Sequence, residues 1–264
     1  MTEELIYAYC VSATMPEPGG SPEYAGLQVV SSGGLYAVVK NVQECEFSEE
    51  NLKKKLSDLA WLDLNVRSHV TIISMLMEDH TVIPFNFGTI YRSEESLKKF
   101  MEDYSNAIVQ NLLLVEWKEE WAVKLYCNQG VMKAQIDNLS PEAAELEDQI
   151  MATSPGKAYL LTRKKADLID LEIDRLCKRY GQEFFNEFNA LSASAKLINI
   201  IPKEFSGRND QMILNASFLL PKDKTIEFIS LLGRLRKKYA GIGFEFEGTG
   251  PWPPFSFVSI KENQ

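Results

Sequence analysis

The chain has 264 residues, of which 45% are hydrophobic, 25% charged and 11% aromatic. At roughly 150 residues per domain this length predicts one large domain or two small ones, and the composition excludes the disordered, collagen-like and coiled-coil classes. The formal net charge is −9 and it is uneven: residues 1–128 carry 10 Lys+Arg and 19 Asp+Glu, residues 129–264 carry 18 of each. So acidic a first half argues against sequence-independent nucleic-acid binding, which rests on Lys and Arg meeting phosphates. No apolar run approaches the roughly 18 residues of a membrane span. The start, Met1-Thr2-Glu3-Glu4, is acidic where a signal peptide begins basic. A cytosolic protein outside the membrane is the expectation.

Residues 4–12, rich in aromatic and β-branched types, predict a strand. Residues 16–26, with Pro16, Pro18, Gly19, Gly20, Pro22 and Gly26, predict a loop. After Gly33-Gly34 a second strand is expected over 35–42. Ser48-Glu49-Glu50 is a helix start, a hydroxyl cap followed by acids at the positive end of the dipole. Helix is expected to about 60 and again near 63–78, then strand over 80–91 broken by Pro84 and Gly88. Ser93 starts another helix, whose Leu97, Phe100, Met101, Tyr104 and Ile108 recur on one face. Residues 119–127 close this half as a strand, giving an N-terminal α+β layer domain over 1–128.

The turn Asn128-Gln129-Gly130 coincides with the change in charge balance, so the second domain is expected over 129–264. Ser140-Pro141 marks a short helix. A long helix follows over about 157–191, with Ile169, Ile173, Leu176, Tyr180, Phe184, Phe188 and Leu191 stepping by three or four. Strands near 195–201 and 211–219, a helix over 224–239 capped by Asp223, and an alternating strand over 242–247 complete it. Helix, strand, strand, helix, strand resembles most of a ferredoxin-like split βαβ. The fold class expected is therefore α+β in two domains, the second ferredoxin-like with a long helix and a Pro/Trp-rich tail.

Motifs with specific chemistry are missing. The stretch before Lys157-Ala158 has Met151 where a phosphate-binding loop needs its first Gly, and Ala158 offers no hydroxyl for magnesium. Gly241 and Gly243 lack the third glycine of a dinucleotide loop. Cys10, Cys45, Cys127 and Cys177 are too far apart for a Cys-x-x-Cys pair and read as small, reduced, mostly buried side chains. Asp167, Asp170 and Asp174 are interleaved with Arg and Lys and read as a solvated helix face rather than a cation site. Arg234, Arg236, Lys237 and Lys238 read as the cationic end of a helix rather than a phosphate site. His69 and His80 are the only histidines; structural roles are favoured, because no nucleophile is visibly placed to use them. No catalytic, cofactor-binding or metal-ligating residue is assigned.

Two segments stand apart. In Ile83-Pro84-Phe85-Asn86-Phe87-Gly88-Thr89-Ile90, Pro84 belongs at an edge or bulge, and alternation puts Phe85 and Phe87 on one face. The segment reads as a kinked edge strand with a packed aromatic face, or as a face kept open for a partner chain. In Gly248-Thr249-Gly250-Pro251-Trp252-Pro253-Pro254-Phe255-Ser256-Phe257-Val258, prolines hold the chain extended around Trp252. That is either a rigid tail folded onto its own domain or an aromatic anchor for a partner.

Pro84-Phe85-Asn86-Phe87-Gly88-Thr89-Ile90 resembles the Pro-x-Arg-Phe-Gly-Thr segment of the gas vesicle protein F/L family, with Asn86 where the family often has Arg. His69 resembles the histidine on the preceding helix. Trp117 and Glu120-Trp121-Ala122-Val123-Lys124 resemble its Glu-Trp-x-Val-Lys strand. Gly156-Lys157-Ala158-Tyr159-Leu160-Leu161 resembles the start of its long helix, and the Gly248–Phe257 run its C-terminal signature. The ordered matches span about residues 5–258.

The resemblance implies a minor, non-catalytic gas vesicle component, located at the vesicle and in the cytoplasm. It implies binding to the hydrophobic major shell protein, help in its assembly, and contact with other accessory proteins. Phe85, Phe87 and Trp252 are the candidate partner-binding residues, with no cofactor, nucleic acid or membrane involved. Two other classes stay open: a small-molecule-sensing regulator of ferredoxin-like fold, and an enzyme with a distributed site around His69 and His80. Fold alone does not separate them.

Overall fold

Glu4–Ser12 forms β1, Leu27–Ser32 β2 and Leu35–Gln43 β3. Short helices α1 (Glu44–Phe47) and α2 (Glu49–Lys55) lead into α3 (Leu59–Asp79). Then come β4 (Val82–Pro84), β5 (Ile90–Tyr91), α4 (Glu94–Asp103) and α5 (Ser105–Val115). The computed structural model describes residues 4–16 and 22–260; residues 17–21 of the expected loop, with Pro18, Gly19 and Gly20, lie outside the described residues, as do Met1–Glu3.

Strand order is β2-β3-β1-β4, with β5 also pairing β1, and every pairing is antiparallel. β1 lies inside the sheet and is buried without a break from Tyr7 to Ser12, because both faces are covered. A register shift between Ala8 and Cys10 turns both Tyr9 and Cys10 to one side. There they pack with Tyr7, Val38, Ile72, Ile73 and Leu76, the last three from α3. On the other face Ala8, Val11, Ala37 and Val39 meet Leu97 and Met101 of α4 and Ile108 and Leu112 of α5. The single helix expected after Ser93 is two, meeting at Tyr104, and their apolar positions keep one covered face. Ser93 caps α4 as expected.

Lys118–Cys127 forms β6. It is followed by α6 (Gln129–Ala134), α7 (Ile136–Leu139), α8 (Pro141–Met151) and the long α9 (Pro155–Asn189). β7 (Ser194–Leu197), α10 (Lys203–Ser206), β8 (Gln211–Pro221), α11 (Thr225–Tyr239) and β9 (Phe244–Trp252) complete the chain's elements. Their sheet has the order β7-β8-β6-β9. Its core joins Phe184 and Phe188 of α9 and Phe228, Leu231 and Leu232 of α11 to Val123, Leu125, Phe218 and Phe246. Gly248 makes close passage possible: a Cβ there would sit 2.3 Å from Leu232 Cδ2. Lys165 on α9 is buried between Asp137 at 2.6 Å and Glu147 at 2.7 Å, tying α7 and α8 to the long helix. The expected Asp223 cap is not made, because residues 222–224 form a 3-10 turn ahead of α11. Of the basic cluster, Arg236, Lys237 and Lys238 fall in the last turn of α11, and Arg236 Nε donates to the Phe246 carbonyl at 2.8 Å.

The chain divides into a unit of residues 1–120 plus 251–264 and a unit of residues 121–250. This differs from the expected boundary near Asn128 in two ways. The strand predicted to close the first half pairs in the second sheet, and the tail packs with the first unit. Val258 and Ile260 join the core under α4 and α5, and Phe255 joins the one under α3. The change in charge balance at residue 128 is a surface property and does not report which sheet a strand enters.

Candidate functional site

The segments that stood apart in the sequence meet inside the first unit. β4 ends at Pro84 and the chain turns through Phe85–Thr89, with Gly88 at φ +82° and a Thr89 N–H to Asn86 carbonyl bond of 3.1 Å. A left-handed residue suits Gly, since a Cβ there is strained. His69, on α3, lies beneath this turn and is buried. Its Nε2 is 3.0 Å from the Phe85 carbonyl, which can only accept, so Nε2 carries the proton. Nδ1 then accepts from the Tyr7 hydroxyl at 2.9 Å, and the Gly88 N–H donates to that hydroxyl oxygen at 3.3 Å. This short chain of bonds ties β1, α3 and both ends of the turn together. Burial lowers the His69 pKa below the usual histidine value, against the bond to Phe85, so the neutral tautomer is favoured. Burial likewise raises the Tyr7 phenol well above its usual value.

Aromatic rings wall the network. His69 stacks on Tyr9 with centroids 5.4 Å apart and meets the edge of Phe87 at 5.8 Å. Phe255, from the tail, lies 6.3 Å from the same imidazole. Phe87 also contacts Trp61, and Lys55 Nζ lies 5.2 Å over the Trp61 ring. The tail is fixed by Glu120, buried at the start of β6. Its Oε2 accepts from the Ser256 N–H at 2.9 Å and its Oε1 from the Ser256 hydroxyl at 2.5 Å. Asn111 on α5 adds a bond from the Ser259 N–H at 3.2 Å.

The structure places the three candidate residues differently. Phe85 is only 8% exposed and packs with Tyr91 and Phe100 on the α4–α5 side. Phe87 is half-buried on the α3 side. The expectation that they share one face is corrected: alternation holds only within a strand, and the strand has ended at Pro84. Trp252 is 40% exposed at the end of β9. The tail folds onto the first unit rather than onto the preceding one.

His69 and His80 are not assembled into a pair. They lie eleven positions apart along and just past α3, about 16 Å at roughly 1.5 Å per residue. His80 Nδ1 instead meets Thr14 Oγ1 at 2.8 Å. Both ring nitrogens of His69 are engaged within the fold. Among the described residues no group of three or more His, Cys, Asp and Glu is placed to hold a metal, and no helix is long and apolar enough to cross a membrane.

One surface was missed. Val109, Leu113 and Leu114 are exposed on α5, and Trp117, just beyond its end, is 74% exposed. Trp117 also holds φ +57°, a conformation costly for a residue with a Cβ. Ser105–Val115 contains no charged residue, and that local signal could have flagged the face from sequence. A helix side that is both exposed and uncharged is uncommon on a solvated surface.

Comparison with known proteins identifies relatives over nearly the whole chain. The family model for gas vesicle synthesis protein GvpL/GvpF matches residues 5–259. Gas vesicle protein L of a Streptomyces species is 28% identical over 99% of this chain and 95% of its own length. Gas vesicle protein L1 of Halobacterium salinarum is 21% identical over 96% and 89%. The crystal structure of gas vesicle protein GvpF from Anabaena covers 98% of this chain and 100% of its own, with a TM-score of 0.67 at 16% identity. That from Microcystis aeruginosa covers 97% and 99%, with a TM-score of 0.66. At such identity the likeness is one of fold, a mixed α+β architecture, while the family model extends over nearly the whole sequence. With the family model matched from residue 5 to residue 259, the chain belongs to the GvpL/GvpF family of gas vesicle synthesis proteins.

Proposed function

We propose that this protein binds the hydrophobic major shell protein of gas vesicles and assists its assembly, without catalysing a reaction, at the vesicle and in the cytoplasm. The observation that carries the reading is the uncharged outer face of α5, with Val109, Leu113 and Leu114 continued by exposed Trp117. A shell subunit exposes apolar surface before it assembles, and such a client aggregates unless covered. An apolar helix face offers cover by direct contact, and the net charge of −9 keeps the complex dispersed. Trp252 is retained as a second contact, since it is half-exposed and Trp is frequent among interface hot spots. Phe85 and Phe87 act from behind, shaping the Pro84–Gly88 turn. We read the second unit as ferredoxin-like, on the grounds that β7-β8-β6-β9 is the strand order of a split βαβ with its return strand at the edge. Contacts with other accessory proteins belong to the same proposal.

Co-expression with the major shell protein, followed by pull-down and a solubility assay, tests the reading. Soluble shell protein recovered with the wild type, and lost with Leu113→Asp while the variant stays folded, is the expected result. Equal recovery with Leu113→Asp removes α5 from the interface. No recovery with folded wild type in the presence of the other accessory proteins overturns the proposal.

A further inference from the structure

The start of α9, a motif singled out in the sequence, plays no part in the function proposed above. Residues 155–164 include no buried position: the first buried residue of the helix is Lys165, and packing into the apolar core begins with Ile169 and Ile173. Tyr159 and Leu160 meet solvent there, 70% and 66% exposed, and Met151 at the end of α8 is exposed too. Lys157, Arg163 and Lys164 lie three or four positions from Leu160 and so share its side of the helix. All three are exposed and none makes an ion pair among the described residues, whereas Lys53, Arg67 and Lys98 each pair with an acid four positions away.

The exposed face of α5 has the opposite rim. Val109 and Leu113 are four positions apart on it, and Trp117 follows its end. Asp103 lies just ahead of α5, and Glu116 is its C-terminal cap residue. Both carboxylates are exposed and make no ion pair among the described residues; Lys118 Nζ donates to the Glu116 backbone carbonyl, at 3.1 Å, instead. Lys157 sits at the positive end of the α9 dipole and Glu116 at the negative end of the α5 dipole, and each charge is unfavourable where it stands. A carboxylate brought to Lys157 and a cation brought to Glu116 relieve both.

We propose that the start of α9 in one copy of this chain docks on the α5 face of a second copy. Tyr159 and Leu160 cover Val109 and Leu113, while Lys157, Arg163 and Lys164 meet Asp103 and Glu116. The two stretches match in length: Lys157 to Lys164 and Val109 to Glu116 each span about 10 Å at roughly 1.5 Å per residue. Apolar burial supplies the attraction. The opposite rims select the partner and its orientation. Each copy carries both halves, so the contact forms reciprocally in a dimer or passes from copy to copy. The α5 face is the one proposed above to meet the shell protein, so self-association withdraws it from that client. The self-contact itself does not rest on the shell-protein reading.

Size-exclusion chromatography with light scattering on the full chain, at rising concentration up to millimolar, tests this. No shell protein is present, so failure here is separate from failure of the shell-protein reading. The wild type should run as a dimer or larger. It should associate less as ionic strength rises from about 0.01 to about 1 M, where the screening length falls from roughly 30 to 3 Å. Leu160→Asp alone and Leu113→Asp alone should each be monomeric with wild-type circular dichroism, since both positions are exposed. Mixing these two variants should restore a one-to-one dimer, because one keeps the α5 face and the other the α9 start. Arg163→Glu should repeat the effect of Leu160→Asp without altering an apolar residue. A monomeric wild type, an assembly indifferent to salt, single variants that still associate, or a mixture that stays monomeric overturns the proposal.

Discussion

Glu120 and Ser256 are separated by 136 positions and joined by two hydrogen bonds, from the Ser256 N–H at 2.9 Å and its hydroxyl at 2.5 Å, to the two oxygens of one buried carboxylate. This clasp binds the returning tail to the first unit. Glu120→Ala removes both of these bonds, and hydrogen bonds to a charged group contribute about 1.5–3 kcal/mol. We expect a urea midpoint lowered accordingly and faster amide exchange over residues 253–260. Unchanged exchange in those residues would show that apolar packing of Phe255 and Phe257 holds the tail without the clasp.

His69 makes stability depend on pH. Its folded pKa lies below the usual value of about 6.5, so at intermediate pH the unfolded chain binds more protons than the folded one. This contribution is fully present above about pH 6.5 and is lost as pH falls through the depressed folded value. Protonation would also place a hydrogen on Nδ1, where Tyr7 now donates. Denaturant unfolding of wild type and His69→Gln at several pH values between 7.5 and 5 checks this: the difference in their stabilities should shrink on acidification. A constant difference contradicts the assignment.

Gly248→Ala puts a methyl 2.3 Å from Leu232 Cδ2. Overpacking of this kind costs about 1–3 kcal/mol. Leu232→Ala is destabilising alone, yet it removes the clash, so a double-mutant cycle should show the two changes to be less than additive. Additive losses would mean that β9 shifts freely and that the close approach is not needed.

Trp117 combines a positive φ with an exposed ring. Replacing it by Gly relieves backbone strain of about 1 kcal/mol, whereas Ala keeps it. Trp117→Gly should therefore unfold at higher denaturant than Trp117→Ala. If the ring serves binding, both variants lose shell-protein capture despite their different stabilities. Capture that survives in both assigns the ring no part in the interface.

Much of the local structure was legible. The apolar steps from Ile169 to Leu191 marked α9, Ser93 marked the start of α4, and the β-branched and aromatic run of residues 4–12 marked β1. β2 escaped notice because Leu27–Ser32 is short, weakly patterned and next to a loop-like stretch. The candidate site was legible in its parts: His69, the Pro84–Gly88 segment, Glu120 and the Pro-Trp tail all carried a family resemblance before any contact was known. Their convergence was not, since nothing local says that Ser256 meets Glu120 or that the Phe85 carbonyl meets His69.

Periodicity records which side of an element is apolar, because helix and strand repeat at fixed intervals. It does not record what covers that side. β6 alternates in the same way whichever sheet it joins, and only strand pairing places it beside β8 and β9. By sequence Phe85 could belong to a packed face or an open one; it is buried because it packs with Ile83, Leu97 and Met101 in the core under α4 and α5. Leu113 looks like one more core leucine and is exposed because Ile108, Leu112 and Val115 already fill the covered side of α5. Element type, charge and family are thus written in short-range pattern, while domain membership, burial and the open face follow from long-range packing, which no local window contains.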